Sequence, residues 1–147
     1  MASISVFMRL LHFVGLGLAL GAATTKLVLL LRSTRDHDFV ATYIAVDKPI
    51  TRLILIGTGL LALSGIAWLL VGYPLQGLLV LKIVLVVIAV AIGGSMGRFI
   101  EPRYGRLAPK PGEPATAEFL RVQRQYVLAE SLATGLYYII VIMWIMR

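Results

Sequence analysis

Residues 49–73 read PITRLILIGTGLLALSGIAWLLVGY, and beyond Pro74 residues 75–100 read LQGLLVLKIVLVVIAVAIGGSMGRFI. Each run exceeds the ~20 residues that a helix needs to cross a ~30 Å hydrocarbon layer. Neither run alternates polar and apolar residues as a half-buried strand does, and neither leaves a polar face for water. Arg52 is the only charged residue of the first, and Lys82 and Arg98 are the only ones of the second. The intervening Gly72-Tyr73-Pro74 turn has no room for a domain, so the two runs are predicted to form an antiparallel helical hairpin.

Working outward, residues 4–31 and 126–146 form two more apolar runs. The prediction is an all-α polytopic membrane protein: one membrane domain over residues 1–147, built as an up-down bundle of four transmembrane helices. Composition agrees. The chain has 147 residues, 59% of them hydrophobic and 14% charged, whereas soluble domains are about half apolar and about a quarter charged. The surplus requires lipid as solvent. The first run resembles a secretory signal, with Ala22 and Ala23 as small residues, but its leading segment carries only Arg9, so it is read as a retained first helix. The absence of cysteine excludes disulfides, thiolate metal sites and iron–sulfur clusters.

The net charge of +7 fits cytoplasmic loops better than nucleic acid, and no nucleic-acid partner is expected. Arg32, Arg35, Lys48 and Arg52 cluster around the first connection. Arg98, Arg103, Arg106, Lys110, Arg121 and Arg124 cluster around the third, on the same side. The opposite side holds little beyond Arg147, so both chain ends are predicted outside. In the first connection, residues 32–48, a short interfacial helix is expected, with Phe39, Tyr43 and Val46 on one face. Asp47 then caps the second span and Pro49 lies near its first turn. Residues 108–114 (APKPGEP) cannot be helical. The stretch after them places Phe119, Val122 and Tyr126 opposite Arg121 and Arg124, as a helix lying on the membrane surface does. Trp68, Tyr73 and Trp144 are read as interfacial anchors.

Ionisable residues inside spans are costly and face the bundle interior. His12, Lys26, Lys82 and Glu130 are the candidates, with Arg98 at the inner end of span three. His12 lies about 12 Å, and Lys82 about 10 Å, from the outer ends of their spans at 1.5 Å per residue, so the two share an outer layer. Lys26 and Glu130 share an inner one, as an ion pair or as side chains reaching for the interface first, and as part of a proton path second. His12, Gly15, Ala19, Ala22 and Lys26 form one stripe on span one, with Arg9 a turn before it. Small residues in such a stripe signify close helix packing first and space for a flat ligand second. Lys82, Val86, Ala89 and Gly93 share a face of span three, and Glu130, Thr134, Tyr137, Val141 and Trp144 share one of span four. His12 has no second histidine at its depth, since His37 is in a loop. This argues against two-histidine haem ligation and against zinc.

These motifs resemble the HemJ-type protoporphyrinogen oxidases and, more loosely, the four-helix membrane proteins that include the CopD copper proteins. The similarity lies in Arg9-Leu10-Leu11-His12 and Lys26-Leu27-Val28, in Pro49 through Thr58-Gly59 to Trp68-Leu69-Leu70, in the Lys82 run ending at Gly97-Arg98, and in Glu130. The chain departs from the pattern at Ile92-Gly93, where the family has Tyr-His, and at Ala129, where it has Asn. The resemblance implies a bacterial inner-membrane oxidoreductase with haem b in the bundle. His12 would be the iron ligand, Lys82 the opposite ligand or a propionate cation, and Arg9 the cation for the second propionate. Porphyrin or quinone would be small-molecule partners, and a second copy of the chain, in a homo-oligomer, would be a protein partner. Two other readings stand beside it. One is CopD-like handling of copper or a small solute, with His12 and the nearby Met8 as metal ligands. The other is a non-catalytic subunit whose glycines, such as Gly15 and Gly65, pack helices.

Overall fold

The computed structural model describes residues 2–72, 74 and 77–145, the side chains of residues 2–5 and of Trp144 excepted. Tyr73, Trp144 and Arg147, expected near the outer surface, thus lie in whole or in side chain outside the described residues. The chain forms α1 (Ala2–Arg35), α2 (Phe39–Leu70), α3 (Gly77–Ser95), a π-helical turn (Met96–Ile100), α4 (Glu101–Leu107) and α5 (Ala117–Ile145). Among the described residues there is no strand. Four helical stretches are long and apolar enough to cross a membrane, the third running from Gly77 through the π-turn to Leu107. The protein is a multi-pass membrane protein. Exposed large apolar side chains mark the lipid-facing belt: from Leu53 to Leu70 on α2, Val80 to Phe99 on α3 and the π-turn, and Leu128 to Ile145 on α5. At 1.5 Å per residue each stretch is about 26–29 Å long, close to the ~30 Å hydrocarbon thickness.

Three helices run past that belt on the side of the basic connections. No separate interfacial helix occupies residues 32–48. α1 continues to Arg35, and α2 begins at Phe39 after Asp38. Asp47 and Pro49 therefore lie inside α2 rather than at its start. Pro49 removes the bond to the carbonyl one turn back. The stretch before the fourth span is likewise the start of α5. Its amphipathic face is as expected but is turned inward: Phe119, Val122 and Tyr126 are buried against protein, while Arg121 and Arg124 are exposed. Residues 108–116 are non-helical. Gly112, with φ +81°, donates its N–H to Asp38 Oδ1 at 3.2 Å and ties the two basic connections together.

α1 packs on α2 and α5, and α5 packs in turn on α3 and α4. α2 and α3 make no extensive contact among the described residues, so the expected α2–α3 hairpin is not a packed pair. Along the α1–α2 seam the small-residue stripe closes the gap. A Cβ on Gly15 would come 2.8 Å from the Gly57 carbonyl oxygen, and one on Gly57 would overlap the Ala19 backbone nitrogen. From Gly15 to Ala19 the stripe thus serves helix packing, with no room there for a flat ligand. Gly65, by contrast, faces open space. The bundle closes at the other end, where rings from α2, α4 and α5 meet: Tyr43–Tyr104 centroids are 5.9 Å apart and Tyr43–Tyr126 6.1 Å.

The π-turn follows from Pro102. A proline within a helix lacks the N–H for the carbonyl four residues back and collides with it. The helix accommodates this by widening over Met96–Ile100, and the Glu101 N–H bonds to Met96 O. In an unbroken α-helix the buried positions Ala89 and Met96 would be followed by Ile100 and Arg103. The extra residue instead turns Glu101 and Tyr104 inward; Tyr104 is 1% exposed.

Gly57→Ala is expected to destabilise the bundle by about 1–3 kcal/mol, because α1 and α2 must separate. Gly21→Ala, at an exposed position with nothing near its Cβ, should be neutral or stabilising by up to ~1 kcal/mol. Thermal unfolding of both variants in detergent checks the contrast.

Candidate functional site

Among the described residues the densest polar site lies at the closed end, on the rim of the apolar belt nearest the basic connections. Its centre is Lys26 on α1, 2% exposed. The ammonium donates to Glu101 Oε1 at 2.7 Å and to Thr51 Oγ1 at 2.9 Å. It lies 3.2 Å from Asp47 Oδ1 and 3.7 Å from Glu130 Oε2. Four helices therefore meet on one cation. The expected inner layer of Lys26 and Glu130 is present, and Lys26 does not reach for the interface. Its closest carboxylates are Glu101 and Asp47.

Two phenols complete the site. The Tyr43 hydroxyl lies 3.1 Å from Asp47 Oδ1 and 3.0 Å from the Tyr126 hydroxyl. The Tyr126 hydroxyl lies 3.2 Å from Asp47 Oδ1 and 3.1 Å from Glu101 Oε1. Each phenol has one proton to donate, so the ring of oxygens is linked by shared rather than saturated donors. One ammonium faces three carboxyl groups. With all of them ionised, two negative charges would stay uncompensated in a nearly dry site, so retained protons bring such a cluster nearer neutrality. Behind it stands an aromatic collar. Tyr104 packs on Tyr126 at 5.3 Å and on Phe119 at 5.1 Å. Ser33 donates to Leu30 O, so Tyr104 donates to Ser33 Oγ at 3.0 Å.

The half of the bundle remote from the basic connections holds His12. Its Nδ1 lies 2.9 Å from Ser64 Oγ on α2. The Ser64 hydroxyl donates to Leu61 O at 2.9 Å, so its oxygen accepts from His12. That fixes the tautomer: Nδ1 carries the hydrogen and Nε2 keeps its lone pair. The charge of Lys82 on α3 acts on the same imidazole, so the two residues expected in the outer layer are in electrostatic reach of each other. Arg9 is exposed, with its guanidinium carbon 6.0 Å from the centre of the Trp68 ring. Arg98 is exposed beside Phe99 and joins neither group. Between the two layers, Thr58 Oγ1 and the Tyr137 hydroxyl are 3.0 Å apart.

Asp47, Glu101, Tyr43 and Tyr126 belong to the inner site, and sequence reasoning passes over all four as site residues. Asp47 and Glu101 stand just outside apolar runs and beside prolines, where they read as caps and loop residues. The signal that points to them is the presence of carboxylates within a turn of Pro49 and Pro102. Among the described residues, no group of three or more His, Asp or Glu side chains is arranged to hold a metal ion. Comparison with models of known protein families, with curated proteins and with solved structures found no match.

Removing the cation leaves three carboxyl groups facing one another. Lys26→Met should therefore cost about 3–5 kcal/mol, and the loss should shrink as the pH falls and the carboxylates are neutralised. Tyr126→Phe should cost only about 1 kcal/mol. Unfolding of the purified variants across a pH series measures both.

Proposed function

We propose that the protein is a haem b-binding membrane redox protein related in type to the protoporphyrinogen oxidases that its motifs resemble. The observation that carries this reading is the lock on His12. A metal-binding histidine commonly donates its other ring N–H to a fixed partner, which orients the ring and raises its basicity. The Ser64 hydroxyl does this here and leaves Nε2 as the coordinating atom. The donor set fits the cofactor: one neutral imidazole for iron, with Lys82 and Arg9 as cations for the propionates. Bound there, haem b would supply one-electron redox chemistry. The chain would contribute the ligand, the cationic surroundings and an apolar enclosure.

The lack of extensive contact between α2 and α3 among the described residues supports an approach from the lipid for a hydrophobic reductant, porphyrinogen or quinol in class. The distribution of Lys and Arg supports an orientation with both chain ends outside and both basic connections in the cytoplasm of a bacterial inner membrane.

Purified protein should show a Soret band, as isolated or after addition of haem, that His12→Ala abolishes. Ser64→Ala should keep the band but weaken haem binding about 10- to 100-fold. A wild-type protein that stays colourless with added haem overturns the reading. Orientation has its own test, since the chain lacks cysteine. In intact cells an impermeant thiol reagent should label Pro74→Cys and spare Lys110→Cys.

A further inference from the structure

The Lys26 cluster leaves one of its members without a donor. The ammonium has three N–H groups, and Glu101, Thr51 and Asp47 are its three nearest oxygen partners. Glu130 Oε2, at 3.7 Å, has no hydrogen-bond partner in the protein, and Glu130 is 2% exposed. One turn further along α5, Thr134 Oγ1 is also without a partner, in a residue 2% exposed. A buried polar atom left unpaired costs about 1–3 kcal/mol. Two on successive turns of one helix face require an explanation. The same face continues to Tyr137, whose hydroxyl lies 3.0 Å from Thr58 Oγ1. Polar oxygens thus recur turn by turn on the buried side of α5, whose other side exposes Leu128 and Leu132.

We propose that Glu130 is a proton-exchanging carboxyl, which takes a proton from the side of the Lys26 cluster and passes it along α5 through Thr134 to the Tyr137–Thr58 pair. Lys26 from α1, Asp47 and Tyr43 from α2, Glu101 from α4 and Tyr126 from α5 itself are the titratable groups around it, and α3 adds the apolar Ala89 beside Tyr137. Asp47 and Glu101 accept hydrogen bonds from the phenols or Lys26, whereas Glu130 Oε2 has only the 3.7 Å ion pair with Lys26 and no hydrogen bond. Among the three carboxyl groups it therefore has least to lose on protonation. One O–H bond forms on Glu130 as the proton arrives and breaks as it leaves, and no electrons move. Thr134 both accepts and donates, as a relay between two acids requires. The proposal does not depend on haem being bound.

Infrared spectra of the full-length protein in lipid nanodiscs, recorded from about pH 5 to about pH 9 in water and heavy water, test it. The expected result is a protonated-carboxyl C=O band that titrates, shifts in heavy water and is lost in Glu130→Gln. Thr134→Val should shift the same band while leaving the unfolding temperature nearly unchanged. Absence of a titrating band in the wild type, or its persistence in Glu130→Gln, overturns the proposal. A band unmoved by Thr134→Val removes the relay. If Glu130→Gln does not fold, the wild-type titration and the Thr134→Val shift decide the matter.

Discussion

One ammonium group organises the closed end of this bundle. Lys26 is buried among Asp47, Glu101 and Glu130, which arrive from α2, α4 and α5. In lipid the apolar faces of helices gain little by leaving solvent, because the solvent is itself apolar. A buried cation, by contrast, is stable only where its partners stand. The register of four helices is therefore specified at a single point. Sliding any one of them by a turn would move its carboxylate about 5 Å from the charge. The extensions of α2 and α5 beyond the apolar belt follow from the same requirement, since Tyr43 and Tyr126, the phenols that share the carboxylates, lie on them.

The two ends of the molecule are consequently built on different principles. The closed end has specific polar contacts and a collar of rings. The opposite half relies on the glycine contact of α1 with α2, while α3 packs mainly on α5. Polar contacts are thus concentrated at one end and sparse at the other. His12 and Lys82 belong to the sparsely polar half, and the carboxyl cluster belongs to the other.

Much of this is legible in the sequence, and the limits of legibility have physical reasons. Periodicity identifies the buried faces of α1 and α5, because Gly15, Ala19, Ala22 and Lys26, and Glu130, Thr134 and Tyr137, repeat at helical spacing. It also places Phe119, Val122 and Tyr126 on one face, but not what that face meets. An apolar stripe has the same spacing whether it touches lipid headgroups or Tyr104. Asp47 and Glu101 are hidden by the habit of ending a span where hydrophobicity ends. Helices of this chain continue past that limit, and the charge-bearing site sits just beyond it. A short link suggests that α2 pairs with α3, yet it brings only the helix ends together.

The π-turn before Glu101 has a consequence for how this protein can change. Residues ahead of it are spaced for contact with lipid and α5, and residues after it are spaced for contact with Lys26. The extra residue acts as a phase shift between these two repeats. The third span thereby separates fit to the bilayer from aim at the cation: variation over residues 77–95 can follow membrane thickness, while Glu101, Pro102 and Tyr104 keep their bearing on the cluster.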